Sequence, residues 1–138
     1  TAGLRFVQAA TAGDYEGTIT IPAYAVIIDV ITYAEALWDG TSASLIVGDD
    51  DDPNGFQAEI DLKATDLLAG ESLSFAFGGA AADLGAYVDG TATHITNRVS
   101  ATARTLNATI TQVGTGTLGR TVVAVIFAQP VLDQVDVS

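Results

Sequence analysis

A chain of 138 residues, 49% of them apolar, is long enough for one domain with a sizeable core. It has no cysteine and a single histidine, His94, which excludes disulfides, cysteine-based zinc or redox sites and histidine-cluster metal centres. Seventeen acids against Arg5, Lys63, Arg98, Arg104 and Arg120 give a net charge of −12, so no basic footprint exists for nucleic acid or an anionic membrane surface.

Thr, Val and Ile dominate the patterned stretches, and these side chains suit a pleated, half-buried surface better than a helix. Strands are predicted over 4–10, 15–21, 25–35, 43–48, 56–62, 72–77, 94–104, 105–113 and 120–128. The opening TAGLRFVQAATAGDYEG has no charged and apolar leader pattern; residues 1–14 form a candidate N-terminal arm and 131–138 a tail. In FQAEIDL the alternation sends Phe56, Ala58, Ile60 and Leu62 inward and Gln57, Glu59 and Asp61 outward. ATDLLAG is the one helical candidate, a single turn capped by Thr65 and ended by Gly70. Phe77–Thr93 reads as a long connection. In TLNATITQV, Leu106, Ala108 and Ile110 share the inner face, with Asn107 and Thr109 opposite. Short strands between Gly- and Asp-rich turns predict an all-β, single-domain antiparallel sandwich over 1–138. It is jelly-roll-like, with about eight strands.

Three stretches imitate sites. From Asp50, the run DDDPNGFQAEID places Asp50, Asp52, Asn54, Gly55 and Asp61 almost as a calcium loop does. An extended chain after Gly55 instead carries Asp61 about 20 Å away, too far to share an ion with Asp50. Asp52-Pro53-Asn54-Gly55 fits a β-turn, and Asp49–Asp52 alone stays a weak cation candidate. GTGTLG (Gly114–Gly119) spells a dinucleotide fingerprint, but a strand follows it where a helix N-terminus is needed. It is expected to be a hairpin loop. The sequon Asn107-Ala108-Thr109 lies within a strand.

The carboxylate pairs Asp29/Glu35 and Glu59/Asp61 are the nearest approach to a glycosidase arrangement, but acids are abundant enough for such pairs to arise by chance. Trp38 is expected to plug the core. No catalytic, cofactor or metal residues emerge, and no cofactor is expected.

Two strands are apolar on both faces. VVAVIFA has Val123, Val125 and Phe127 on one side and Val122, Ala124, Ile126 and Ala128 on the other. YAVIIDVITY offers Val26, Ile28 and Val30 against Ile27 and Ile31. A solvated antiparallel sheet keeps one face polar, so these strands are either central and covered by loops or buried against another subunit, and a subunit is expected for at least one of them.

The segments ALWDGTSASLIVGDDDDPNGF and EIDLKATDLLAGE (Ala36–Phe56, Glu59–Glu71), together with TARTLNATITQVGTGTLGRTVVAVIFAQP (Thr102–Pro130), resemble a family of small tailed-bacteriophage capsid decoration, or cement, proteins. The resemblance implies a jelly-roll sandwich that binds the major capsid protein on the outer surface of the virion. It also implies a homo-oligomer, a dimer or trimer, without catalysis. The alternative is a jelly-roll module of a phage tail or fibre that recognises host glycan, for which Trp38, Tyr87 and Asp49–Asp52 are the candidate contacts.

Overall fold

In a computed structural model of the chain, residues 1–11, 13–63, 66–77, 83–89 and 97–136 are described. They form eight strands: β1 (Ala2–Val7), β2 (Gly13–Ile21), β3 (Val26–Ala36), β4 (Ser42–Gly48), β5 (Gln57–Asp61), β6 (Ser72–Ser74), β7 (Arg104–Val113) and β8 (Arg120–Ala128). Two four-stranded sheets result, ordered β1-β8-β3-β6 and β2-β7-β4-β5, with every pairing antiparallel. Only β4 and β5 are both consecutive and paired; every other connection crosses from one sheet to the other. This interleaving is the jelly roll.

The core lies between the sheets. Leu106, Ala108 and Ile110 of β7 face Val123 and Val125 of β8 across it, all nearly inaccessible, as the alternation predicts. Trp38 is buried, stacks edge-on against Tyr15 with ring centroids 5.2 Å apart, and donates its indole N–H to Thr121 Oγ1 at 2.9 Å. A buried indole needs such an acceptor, and the inward hydroxyl of β8 supplies it.

The structure corrects the sequence reading at several points. Ala2–Val7 is strand β1, paired along its length with β8, so the chain's first residues are part of a sheet rather than an arm. Within β5 the register jumps, with Leu45 opposite Ile60 but Val47 opposite Gln57, so three residues of β5 span two of β4. This bulge turns Gln57 inward, where its Oε1 accepts from Thr32 Oγ1 at 2.6 Å, and leaves Ala58 half-buried. A second bulge between Ile27 and Asp29 exposes Ile28 and buries Ile27 and Val30 together.

Of the predicted strand 94–104, residues 94–96, His94 among them, lie outside the described set; Arg104 opens β7, and 97–103 makes only an isolated bridge, from Val99 to Val26. The capped turn expected at Ala64–Gly70 starts on Ala64 and Thr65, also outside the described residues, as is most of the Phe77–Thr93 connection.

Candidate interaction surface

The two outer faces of the sandwich are chemically opposite. On the β2-β7-β4-β5 sheet the outward positions are Asp14, Glu16, Thr18 and Thr20 of β2, Thr105, Asn107, Thr109, Thr111 and the half-exposed Val113 of β7, Ser42, Ser44 and the half-buried Ile46 of β4, and Glu59 and Asp61 of β5. Four carboxylates stand there without a base. This is a solvated face of the ordinary antiparallel kind.

On the β1-β8-β3-β6 sheet the register lines up outward residues in rows across the strands. One row runs Arg5, Val122, Tyr33, Ser72, and the next runs Gly3, Ala124, Ile31, Ser74. Val122, Ala124 and Ile126 of β8 are only partly covered, Tyr33 is 38% exposed, and Val7 is 50% exposed at the β1 edge. Arg5 and Glu35 form a surface ion pair at 2.5 Å, and Arg120 stands at the head of β8. The exposed charges on this face are therefore two arginines and one glutamate, in a chain of net charge −12. Asp29 shares a row with Ile126 but is fully buried, because Ser74 Oγ donates to it and the amides of Phe75 and Ala76 do so at 3.1 and 3.2 Å. The turn after β6 thus covers the one carboxylate that would interrupt the apolar rows.

The two strands singled out as apolar on both sides are β3 and β8, and they pair with each other. Their outer residues merge into one patch.

The aspartate run occupies the β4–β5 loop. Gly55 N donates to Asp52 O at 3.0 Å, which closes the expected turn between two paired strands. Asp49 is largely buried and accepts from the amides of Asp51 and Asp52 and from Tyr87 Oη, the last at 2.9 Å. Asp50 accepts from Asn107 Nδ2 at 2.8 Å, whereas Asp61, at the other end of β5, accepts from the Lys63 amide at 2.6 Å. The two carboxylates proposed by the calcium-loop spelling have separate partners. Asp49–Asp51 also border an open recess of about 580 Å³, together with Asn97, Ser100 and Arg104. Among the described residues no group of three or more His, Cys, Asp or Glu is placed to hold a metal ion.

Burial, and the hydrogen bond to the Asp49 carboxylate, push the Tyr87 hydroxyl up to about 12. Its ring packs edge-on against Phe56 at 5.2 Å and fills the space over Gly55, where a Cβ would come within 2.3 Å of the Tyr87 ring. Gly55 is required by this close approach and not by a positive φ.

GTGTLG is a crossover between β7 and β8 in different sheets, not the expected hairpin loop, and a strand follows it. Asp39 holds this crossover by accepting from the amides of Leu118 at 3.0 Å and Thr117 at 2.9 Å. These donors, Leu118 foremost, keep the Asp39 carboxyl below the ordinary carboxylate range. Gln8 ties the same end together, with Nε2 donating to Asp39 O at 2.7 Å and to Gln112 Oε1, and Oε1 accepting from Gly119 N at 2.9 Å. Pattern reading passed over Gln8 and Gln112, because glutamines in alternating strands look like surface residues until their faces are known.

The carboxylate pairs do not assemble. Asp29 is sealed under the β6 turn while Glu35 binds Arg5, and six residue steps along β3 separate them by about 20 Å. Asp61 is engaged by the Lys63 amide, and Glu59 is exposed beside it. Comparison of the chain with protein-family models, curated proteins and solved structures finds no match.

Proposed function

We propose that this protein is a structural virion component, a capsid decoration or cement protein that binds the outer surface of a tailed-phage head as a homo-oligomer and stabilises the shell. The observation that carries the reading is the two-faced sandwich: an acidic domain with one outer sheet face that is apolar and nearly neutral in exposed charge. An apolar sheet face of this kind marks a protein contact. The resemblance of Ala36–Phe56, Glu59–Glu71 and Thr102–Pro130 to decoration proteins supplies the partner, the major capsid protein. A jelly roll alone would not, since that fold hosts many functions. The acidity fits a position outside the shell, away from packaged DNA. Many copies, each burying modest area, add up across a lattice.

The rival reading, glycan recognition on a tail or fibre, draws less support because Trp38 is buried and Tyr87 is half-buried and bonded to Asp49.

The test compares particles with and without the protein. Shell stabilisation predicts hundreds of copies per virion on a gel, and loss of DNA at lower temperature from heads that lack it, with normal adsorption to cells. A dozen copies or fewer, unchanged heads and lost adsorption would overturn it in favour of the tail-borne module.

A further inference from the structure

The segment that follows β8, Gln129–Asp136, is the second unpartnered apolar feature of the molecule. It has no secondary structure, and Val131, Leu132 and Val135 are 96%, 65% and 85% exposed. Three aliphatic side chains this exposed within five residues form an apolar patch of their own, more open than the outward aliphatics of the strands, such as Val7 at 50% and Ile28 at 41%. Gln129 Nε2 donates to Ala23 O at 3.0 Å, which fixes the point of departure beside the β2–β3 turn, and Pro130 follows at once. Proline has no N–H with which to extend the β8 ladder.

We infer that Gln129–Asp136 of one copy packs on the outer β1-β8-β3-β6 face of a second copy. Four features fit segment and face to each other. Eight extended residues reach about 26 Å, close to the length of β8, so the segment can lie parallel to β8 and cross the successive apolar rows. In an extended segment Val131 and Val135 share one side with Asp133, and the two valines match Val122 and Ile31 in character.

Charge matches as well: the segment carries Asp133 and Asp136 and no base, whereas the face presents Arg120 beside the Arg5–Glu35 pair, a net charge of one positive. No other outer sheet face offers an arginine to an acidic partner. Lastly, the face is too small alone. Strands of 6, 9, 11 and 3 residues, at about 3.3 Å per residue and about 4.8 Å apart, present roughly 450 Å², while a stable interface takes about 800 Å² from each partner. Donating one segment and receiving another enlarges the contact of each copy. Folding back onto its own face would require the segment to reverse direction at Pro130, directly after the Gln129–Ala23 anchor.

This rests on the homo-oligomer within the proposed reading and not on the capsid. Sedimentation of the purified protein without heads therefore tests it separately. The full chain is expected to sediment as an oligomer, and V131S/L132S/V135S, whose changes lie on exposed side chains, to dissociate at least tenfold more readily. A full chain that stays monomeric, or a triple variant that associates as tightly, would overturn the inference. The absence of native cysteine allows a second measurement. In Y33C/V135C treated with a short bis-maleimide, linked product of twice the chain mass or more is expected. Product linked within single chains, or no linked product, would rule out exchange between copies.

Discussion

The two sheets share one core and differ on their outer faces. The β2-β7-β4-β5 sheet turns Thr, Asn and carboxylates outward, while the β1-β8-β3-β6 sheet turns Val, Ala, Ile and Tyr outward. Nothing in the folding of an isolated sandwich requires this asymmetry, since either face could be polar without disturbing the interior. The difference is what the proposed assembly would account for. It also separates residues needed for folding from residues available for contact.

If that separation holds, the largest effects belong to the shared core and reach both sheets alike. Ile110→Ala on the polar sheet should lower stability by about 2–5 kcal/mol in denaturant unfolding. Val123→Ala on the other should act in the same direction, with the association of the folded fraction little altered. A core substitution that dissociated the oligomer without destabilising the fold would break the comparison.

Next comes the loop that closes the polar sheet. Gly55→Val forces a side chain into the Tyr87 ring and should cost about 1–3 kcal/mol, with self-association unchanged. Full stability in Gly55→Val would show that Tyr87 can move aside.

A matched pair of surface changes follows. Ala124→Asp places a carboxylate between Gly3 and Ile31, and should weaken self-association at least tenfold, about 1.4 kcal/mol, by sedimentation. Thr109→Asp, the same charge on the opposite face, should leave association unchanged. Equal responses would mean that net charge governs association and not the apolar rows.

The smallest effect is a pH dependence at the two ends of the polar sheet. The Tyr87 hydroxyl is raised to about 12, so its contribution is fully present below its unfolded value near 10 and is lost as pH rises through about 12. Tyr87→Phe should flatten that alkaline loss in thermal unfolding. Asp39 is depressed, so its contribution is present above the unfolded carboxylate value and is lost as pH falls through the folded one. Asp39→Asn should flatten the acid limb.

Most of the architecture was legible because alternation in β7 and β8 is uninterrupted, and a period of two leaves little choice of face. The Asp52–Gly55 turn was legible from its chemistry, and the apolar surface from strands that alternate into nothing polar. Gln57 and Ile28 were misread for one reason: each sits beside a bulge, and a bulge reverses the parity of everything on one side of it. Bulges answer to the partner strand, which a local pattern does not contain. The GTGTLG loop was misread because flanking strands look the same whether the loop joins neighbours or crosses between sheets. The Gln8–Asp39–Gln112 network needed the three-dimensional meeting of β7, the β1–β2 link and the β3–β4 link.

The pairing of β1 with β8 has a consequence for the order in which the molecule comes into being. The first strand lies at the edge of its sheet with the last strand as its only sheet partner, so Ala2–Val7 must wait for Arg120–Ala128 before it has a ladder to join. On the ribosome that sheet stays open until nearly the whole domain has emerged, and the closing step spans over a hundred residues. Loop closure on that scale is slow, as in other folds built on distant pairings. The apolar outer rows assemble in the same late step, because β8 is their central member. The apolar face therefore comes into existence only with the finished fold, and an incomplete chain cannot present it.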